Sequence, residues 1–426
     1  MWFFLLSCDP YPERPLAALV ADELFVSSKG SALCSSEVEV PTGILSVEAP
    51  VLATPHVEVY GGAPLPFAVH LGLPSRDPSA TISMLWRTDL GTEASVVEIG
   101  LAEIWPAGVV HYSGASFLYG SGVVGEGEYR QHEVRLCSGL SPATSYTYRV
   151  GGAGAWSEPY TFRTAPAKGS TDAFRVAFLG DSRDDVETWA EVAAAIAASA
   201  PDLLVFSGDM VGTGSKQEEW DAWYKASGDL FARVPLIAAH GNHEFLAQNY
   251  FAQLGLPGNE EWFAVDWGDA LFITLNDTVR NAEEIEIEQP QFLIDELSAT
   301  RAGWRLTNHH QPVYTVSGSH ASREDLRADW AGIWEEWDLD VDVAGHNHTY
   351  ERSVPIRGGI EDPQGTTYLV SGGAGAPLYT TVEAWWYGAV ANPTYHYVLA
   401  DFSSESADFV VRDLAGNVID QFQLLP

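Results

Sequence analysis

The chain has 426 residues, 46% hydrophobic and 19% charged, a globular balance that argues against disorder and leaves room for two or three domains. Its 58 acidic and 22 basic residues give a formal net charge of −36, a field that repels polyanions and argues against nucleic acid as a partner. The three cysteines include no Cys-x-x-Cys pair, which argues against a thiolate zinc site or redox dithiol, and no apolar run is long enough to span a bilayer.

Residues 1–55 form a leader with little periodicity, carrying at most short strands near 37–40 and 45–47. Leu5-Leu6-Ser7-Cys8 has the form of a lipobox, in which Cys8 would carry a lipid and attach the chain to a membrane from outside the cytoplasm. No basic stretch precedes it, so the segment reads either as a truncated lipoprotein signal or as an ordinary apolar N-terminus. With Cys8 lipidated, Cys34 and Cys137 would remain to pair in an oxidising, extracytoplasmic compartment, or to stay as buried thiols.

Residues 56–165 are all β. Ile82, Met84 and Trp86 recur at every second position, as do Tyr146, Tyr148 and Val150, which predicts half-buried antiparallel strands. The stretch from Leu140 to Tyr146 resembles the tyrosine corner of fibronectin type III and immunoglobulin-like sandwiches. After a linker of small and polar residues, a third region spans 172–426. It alternates apolar strands with helical patterns: strands at 174–179, 203–206, 235–239, 270–275, 304–307 and 341–344, and helices at 184–198, 217–231, 289–300 and 322–337. Strands return after 365.

Five segments fall directly after these strands: Gly180-Asp181-Ser182-Arg183, Gly208-Asp209, Gly241-Asn242-His243-Glu244, His309-His310-Gln311-Pro312 and Gly345-His346-Asn347-His348. The carboxyl ends of strands in an open α/β sheet are where ligands bind. Aspartate, asparagine and histidine there supply the oxygen and nitrogen donors that divalent metals take. Asp181, Asp209, Asn242, His310, His346 and His348 could surround two ions, with one carboxylate bridging them. His320 lies in a loop and reads first as a solvent residue, with pointing into the site as the alternative, and Ser371 to Gly375 reads as a tight loop beside the metal site.

In this order the five segments resemble the signature of the calcineurin-like metallophosphoesterases. Gly345-His346-Asn347-His348-Thr349-Tyr350-Glu351-Arg352 is similar to the form found in purple acid phosphatases, whose fibronectin-like N-terminal domain matches the β region. The resemblance covers most of the chain after about residue 55. It implies a fibronectin III-like β-sandwich followed by a four-layer α/β/β/α domain. It implies hydrolysis of small phosphate esters, as in an acid phosphatase-like phosphomonoesterase, by metal-bound hydroxide at a binuclear centre of divalent or trivalent ions (Fe, Zn, Mn or Mg).

Carried over by motif, Asp209 bridges, Asp181 and His348 hold the first ion, and Asn242, His310 and His346 hold the second. His310 fits the family's His-x-Pro-x-Tyr, which leaves His309 as fallback ligand or pocket lining, and His243 protonates the leaving group. Arg183 either reaches a phosphate oxygen or pairs with Asp184 or Asp185. Two positions depart from the pattern. The tyrosine that binds ferric iron is Gly212, and the histidine of the wider superfamily's Asp-x-His is Arg183, so the first site keeps three protein donors and no tyrosinate chromophore is implied. No protein partner is expected. The alternatives are a phosphodiesterase or nucleotide hydrolase on the same scaffold, or a surface-anchored binding protein with a degenerate metal site.

Overall fold

The computed structural model describes residues 59–120, 127–152, 155–278, 282–380 and 382–426, together with the backbone of 36–38. Cys8, Cys34 and the strand expected near 45–47 lie outside the described residues, whereas Ser36–Val38 forms a strand. Cys137 is disulfide-bonded.

The N-terminal sandwich joins a five-stranded and a four-stranded antiparallel sheet. Its tyrosine corner is present: the Ser141 backbone N–H donates to the Tyr146 hydroxyl at 2.9 Å. The strand Ile82–Thr88 departs from the expected half-burial, since all seven residues are buried. The reason is that its sheet is covered on both faces. Ile82, Met84 and Trp86 enter the sandwich core, while Arg87 pairs with Asp221 of the following domain. The Leu73 N–H donates to the Gly255 carbonyl and the Tyr119 hydroxyl to Gln217 at 2.8 Å, so the two domains dock through polar contacts as well as a shared apolar core.

His132 sits inside the sandwich, stacked on Trp86 at 5.0 Å and bonded to Thr88 and Ser95. Burial, with Arg130 nearby, pushes it down to about 3. The folded state therefore holds a neutral ring where the unfolded chain, with an ordinary value of 6.5, takes up a proton. This site's contribution to stability is complete above pH 6.5 and is lost as pH falls toward 3, at up to about 1.4 kcal/mol per pH unit. Denaturation midpoints at pH 7 and pH 5 should differ less for His132→Gln than for the wild type. Equal differences would remove His132 from the acid sensitivity.

The second domain contains two facing sheets. One has six strands, built around parallel Leu236–Ala238, Leu203–Phe206 and Phe174–Leu179, the last paired antiparallel with His396–Phe402. The other has seven, with Ala270–Thr274, Trp304–Asn308, Val341–Ala344 and Thr367–Ser371 parallel. Phe402 of the first sheet meets Phe272 and Trp304 of the second, so the sheets pack face to face. Along Ala270–Thr274 the alternation is clean. Ala270 and Phe272 face that shared core, and Leu271 and Ile273 face a second core with Leu293, Leu297, Trp330 and Trp334 of the outer helices. Helix Val186–Ala198 covers the other sheet, capped by Asp185, whose carboxylate accepts the N–H groups of Glu187 and Thr188. The layering is α/β/β/α.

One expected helix is divided. The stretch 217–231 runs as Gln217–Ala226 and Leu230–Arg233, because Gly228 takes a φ of 58° and ends the first piece.

Candidate metal centre

Five loops at the carboxyl ends of the parallel strands meet between the two sheets. Beneath them the sheets are pinned together: Ser207 donates to Asn308 Oδ1 at 2.6 Å, and Asn308 donates to the Phe206 carbonyl at 3.2 Å. The turns above are strained. Asp181, Asp209 and His346 hold φ values of 60°, 57° and 65°, a region costing about 1–3 kcal/mol for a side-chain-bearing residue, which such sites retain because the surroundings fix it. Gly208, at φ 84°, makes the approach possible. A Cβ there would stand 2.7 Å from Gly241 Cα and 2.8 Å from His310 Nδ1.

The ligating atoms of buried Asp181, Asp209 and His310 lie within 4.8 Å of one another. His310 Nδ1 donates to the Ser207 carbonyl at 2.7 Å, which turns Nε2 toward the cluster. That Nε2 lies 3.0 Å from Asn242 Oδ1, 3.2 Å from His346 Nδ1 and 3.4 Å from Asp209 Oδ1. Burial opposes a charge on His310, but Asp209 and Asp181 overcome it and push the ring up to about 10. A cation, proton or metal, is what these donors require.

Asp181 Oδ2 accepts the His346 N–H at 2.8 Å, while its Oδ1 is buried without a hydrogen-bond partner. Burial raises the Asp181 carboxyl well above its ordinary range, with Asp209 adding to it and His310 and Arg183 opposing. An orphaned carboxylate oxygen 3.6 Å from His348 Nε2, on a residue clustered with Asp209 and His310, fits a metal ion. Asp209, Asn242, His310 and His346, with Asp181 Oδ1 at hand, would hold it.

The first-ion donors are arranged differently. His348 donates through Nδ1 to the Pro377 carbonyl at 2.7 Å, so its Nε2 is the free nitrogen, but that nitrogen faces the Arg183 guanidinium at 3.4 Å. Asp209 Oδ2 accepts from Arg183 Nε at 3.3 Å. Arg183 also pairs with Asp184, one of the two neighbours expected for it, whereas Asp185 caps the helix. The guanidinium thus lies between Asp209 and His348.

His243 donates through Nδ1 to the Gly212 carbonyl at 2.7 Å and holds Nε2 3.9 Å from Asp209 Oδ2, with its side chain 27% exposed. His309 is a correction. Its ring reaches neither the cluster nor a pocket: Nδ1 contacts Asp277 at 3.1 Å and Nε2 contacts Asp342 at 3.2 Å, fully buried. Burial would lower its basicity, but the two carboxylates push it up to about 9. His309 is thus a charged clamp, and Asp277, which also accepts the His310 N–H at 3.1 Å, fixes the loop that delivers His310.

Three contributors carried no assigned role in the sequence. His320 is not a solvent residue: its ring packs 4.2 Å from His346 and its Nε2 meets the Tyr379 hydroxyl at 3.2 Å. Tyr379 in turn stacks on His348 at 4.1 Å. Glu244, read only as part of a motif, accepts the N–H groups of Gly241, Asp209 and Met210 at 2.7 to 2.9 Å. The loop from Ser371 to Gly375 does lie beside the site, with the Ala374 N–H donating to Gly180 and the Ala376 N–H to Asp181.

A family model described as calcineurin-like phosphoesterase matches residues 174–350, and one described as purple acid phosphatase, N-terminal domain, matches residues 66–164. Purple acid phosphatase 23 of Arabidopsis thaliana is 26% identical over 342 residues, covering 70% of this chain and 72% of that protein. Acid phosphatase type 7 of Homo sapiens is 26% identical over 353 residues, covering 74% and 79%. Among solved structures, the purple acid phosphatase PPD1 from yellow lupin (Lupinus luteus) seeds shares the fold, with a TM-score of 0.73 and 18% identity over 91% of this chain and 79% of that one. These relationships speak for an enzyme rather than a binding protein that kept the fold. The chain therefore carries a calcineurin-like phosphoesterase domain behind a purple acid phosphatase N-terminal domain, and its relatives are purple acid phosphatases and acid phosphatases.

Proposed function

We propose that this phosphatase hydrolyses small phosphate monoesters at a metal centre built from Asp181, Asp209, Asn242, His310, His346 and His348. The observation that carries this reading is the convergence of His310 Nε2, His346 Nδ1, Asn242 Oδ1 and Asp209 Oδ1 on one buried point, next to the orphaned Asp181 Oδ1. A divalent ion held there supplies Lewis acidity toward a phosphoryl oxygen and lowers the pKa of a bound water toward neutrality.

The chain's own groups do the rest. Backbone carbonyls at Ser207 and Pro377 fix the tautomers of His310 and His348, so that Nε2 of each is the donor atom. Arg183 presents a permanent positive charge beside Asp209, suited to holding a phosphate oxygen. His243 has its Nδ1 proton committed to Gly212, which leaves Nε2 to carry a proton to a leaving oxygen. His320 and Tyr379 line the same site and supply further polar contacts. The disulfide-bonded Cys137 supports an extracytoplasmic location, in keeping with the poor survival of disulfides in reducing cytosol.

The test is turnover of two substrates with different leaving groups. His243→Ala should reduce kcat for an alkyl phosphate by about 10²–10⁴-fold. It should reduce kcat much less for p-nitrophenyl phosphate, whose leaving group needs no proton. Equal losses would take the acid role from His243, and activity that survives exhaustive chelation would refute the metal reading.

A further inference from the structure

We infer that the Arg183 guanidinium replaces the first metal ion, so that the centre works with one metal and one fixed organic cation. The inference rests on the metal-dependent reading above and changes the number of ions in it.

Four observations meet at this point. The bridging carboxylate is divided between two partners: Asp209 Oδ1 faces His310, whereas Oδ2 accepts from Arg183 Nε at 3.3 Å. The nitrogen of His348 that would bind an ion is turned by Pro377 toward the site, and what it meets is Arg183 Nη2 at 3.4 Å. Arg183 itself is largely buried, its side chain 14% exposed, so it is held in place and not swung out to solvent.

The fourth observation is the missing oxygen donor. Where the related enzymes place a tyrosine, Gly212 borders a cavity of about 450 Å³ lined in part by Ser182, Arg183, Asp184, Met210 and Trp223. A Cβ on Gly212 would stand 2.9 Å from Asp184 Oδ1 and 3.2 Å from Glu219 Oε2. Asp184, which occupies that approach, is the carboxylate paired with Arg183. The two departures from the family pattern are therefore one device: the arginine fills the ion's place and its partner carboxylate fills the approach to the tyrosine's place.

Arginine does not titrate in proteins. With Asp181, Asp209 and Asp184 ionised, one divalent ion plus the guanidinium balances the carboxylates, whereas two divalent ions plus the guanidinium would leave an excess of two positive charges. Arg183 thus takes over the charge-neutralising part of the first ion's task and offers a planar pair of donors to the phosphoryl oxygens.

The experiment counts ions. Metal-stripped full-length wild type is titrated with Zn²⁺ and Mn²⁺ by calorimetry and analysed for bound metal after gel filtration, and a zinc-soaked crystal is read by anomalous scattering. We expect one ion per chain, with its peak against His310, His346 and Asn242. Arg183→His and Arg183→Ala are treated identically, with melting curves to verify folding, and at least one folded variant should gain a second, weaker ion near His348. Two ions in the wild type would overturn the inference and leave the phosphatase reading intact. A single wild-type ion seated at His348, or no second ion in either folded variant, would also overturn it. No bound ion in the wild type would overturn the metal-dependent reading itself.

Discussion

Changing Asp209 to asparagine is expected to lower kcat/KM for p-nitrophenyl phosphate by about 10³-fold or more, equivalent to about 4 kcal/mol of transition-state stabilisation. The Asp209 side chain meets His243, His310 and Arg183. Its Oδ1 accepts the His243 N–H at 2.9 Å and faces His310 Nε2, and its Oδ2 accepts from Arg183. Burial by itself would favour the protonated carboxyl, but His310 and His243 hold it far below the usual carboxylate range. Asparagine keeps the size and one acceptor oxygen. It removes a charge from a buried cluster and points an amide N–H₂ at either Arg183 or His310, both of which are donors or cations. Metal uptake should fall with activity, and the melting temperature should not collapse, because the backbone around residue 209 is held by Glu244. Activity within tenfold of wild type, measured at saturating metal, would show that Asp209 is not the central group.

Much of this arrangement is legible in the sequence because its signals are local. Apolar strands ending in Gly-Asp or Gly-His put donors at strand ends, and the shape of the sheet does the gathering. What is not legible depends on direction. His309 and His310 are adjacent in a strand-end segment, and a one-residue difference sends one ring between Asp277 and Asp342 and the other toward Asp209 and Asn242. Only the His-x-Pro-x-Tyr resemblance separates them in advance. The burial of strand Ile82–Thr88 on both faces depends on domain docking, which alternation cannot express. His320 is a loop residue by every local measure, and its place beside His346 is set by the return of the chain through Tyr379. Arg183 looks from sequence like a missing ligand. Its position shows that the same residue brings a cation of its own.

Glu244 supports the loops of the cluster through their backbone N–H groups. Its Oε2 accepts the N–H groups of Gly241 and Asp209, and its Oε1 accepts that of Met210 at 2.8 Å and, more weakly, Val211 at 3.4 Å. The loop carrying Asp209 turns through a φ of 57° and cannot form regular backbone bonds there, so one buried carboxylate satisfies its donors. Burial and the nearby charge of Asp209 push Glu244 up to about 7, and the backbone N–H groups work against that rise. Glu244→Gln should therefore act through position. One oxygen remains to accept, and the new N–H₂ group faces backbone donors, leaving one or two of them unsatisfied at about 1–3 kcal/mol each. The expected result is a melting temperature lower by several degrees and a metal affinity weakened by about 10–100-fold, the range for groups that orient ligands. If excess metal restores kcat in the folded variant, Glu244 acts by holding Asp209. If kcat stays low at saturating metal, the carboxylate has a further part in the reaction that its hydrogen bonds do not explain.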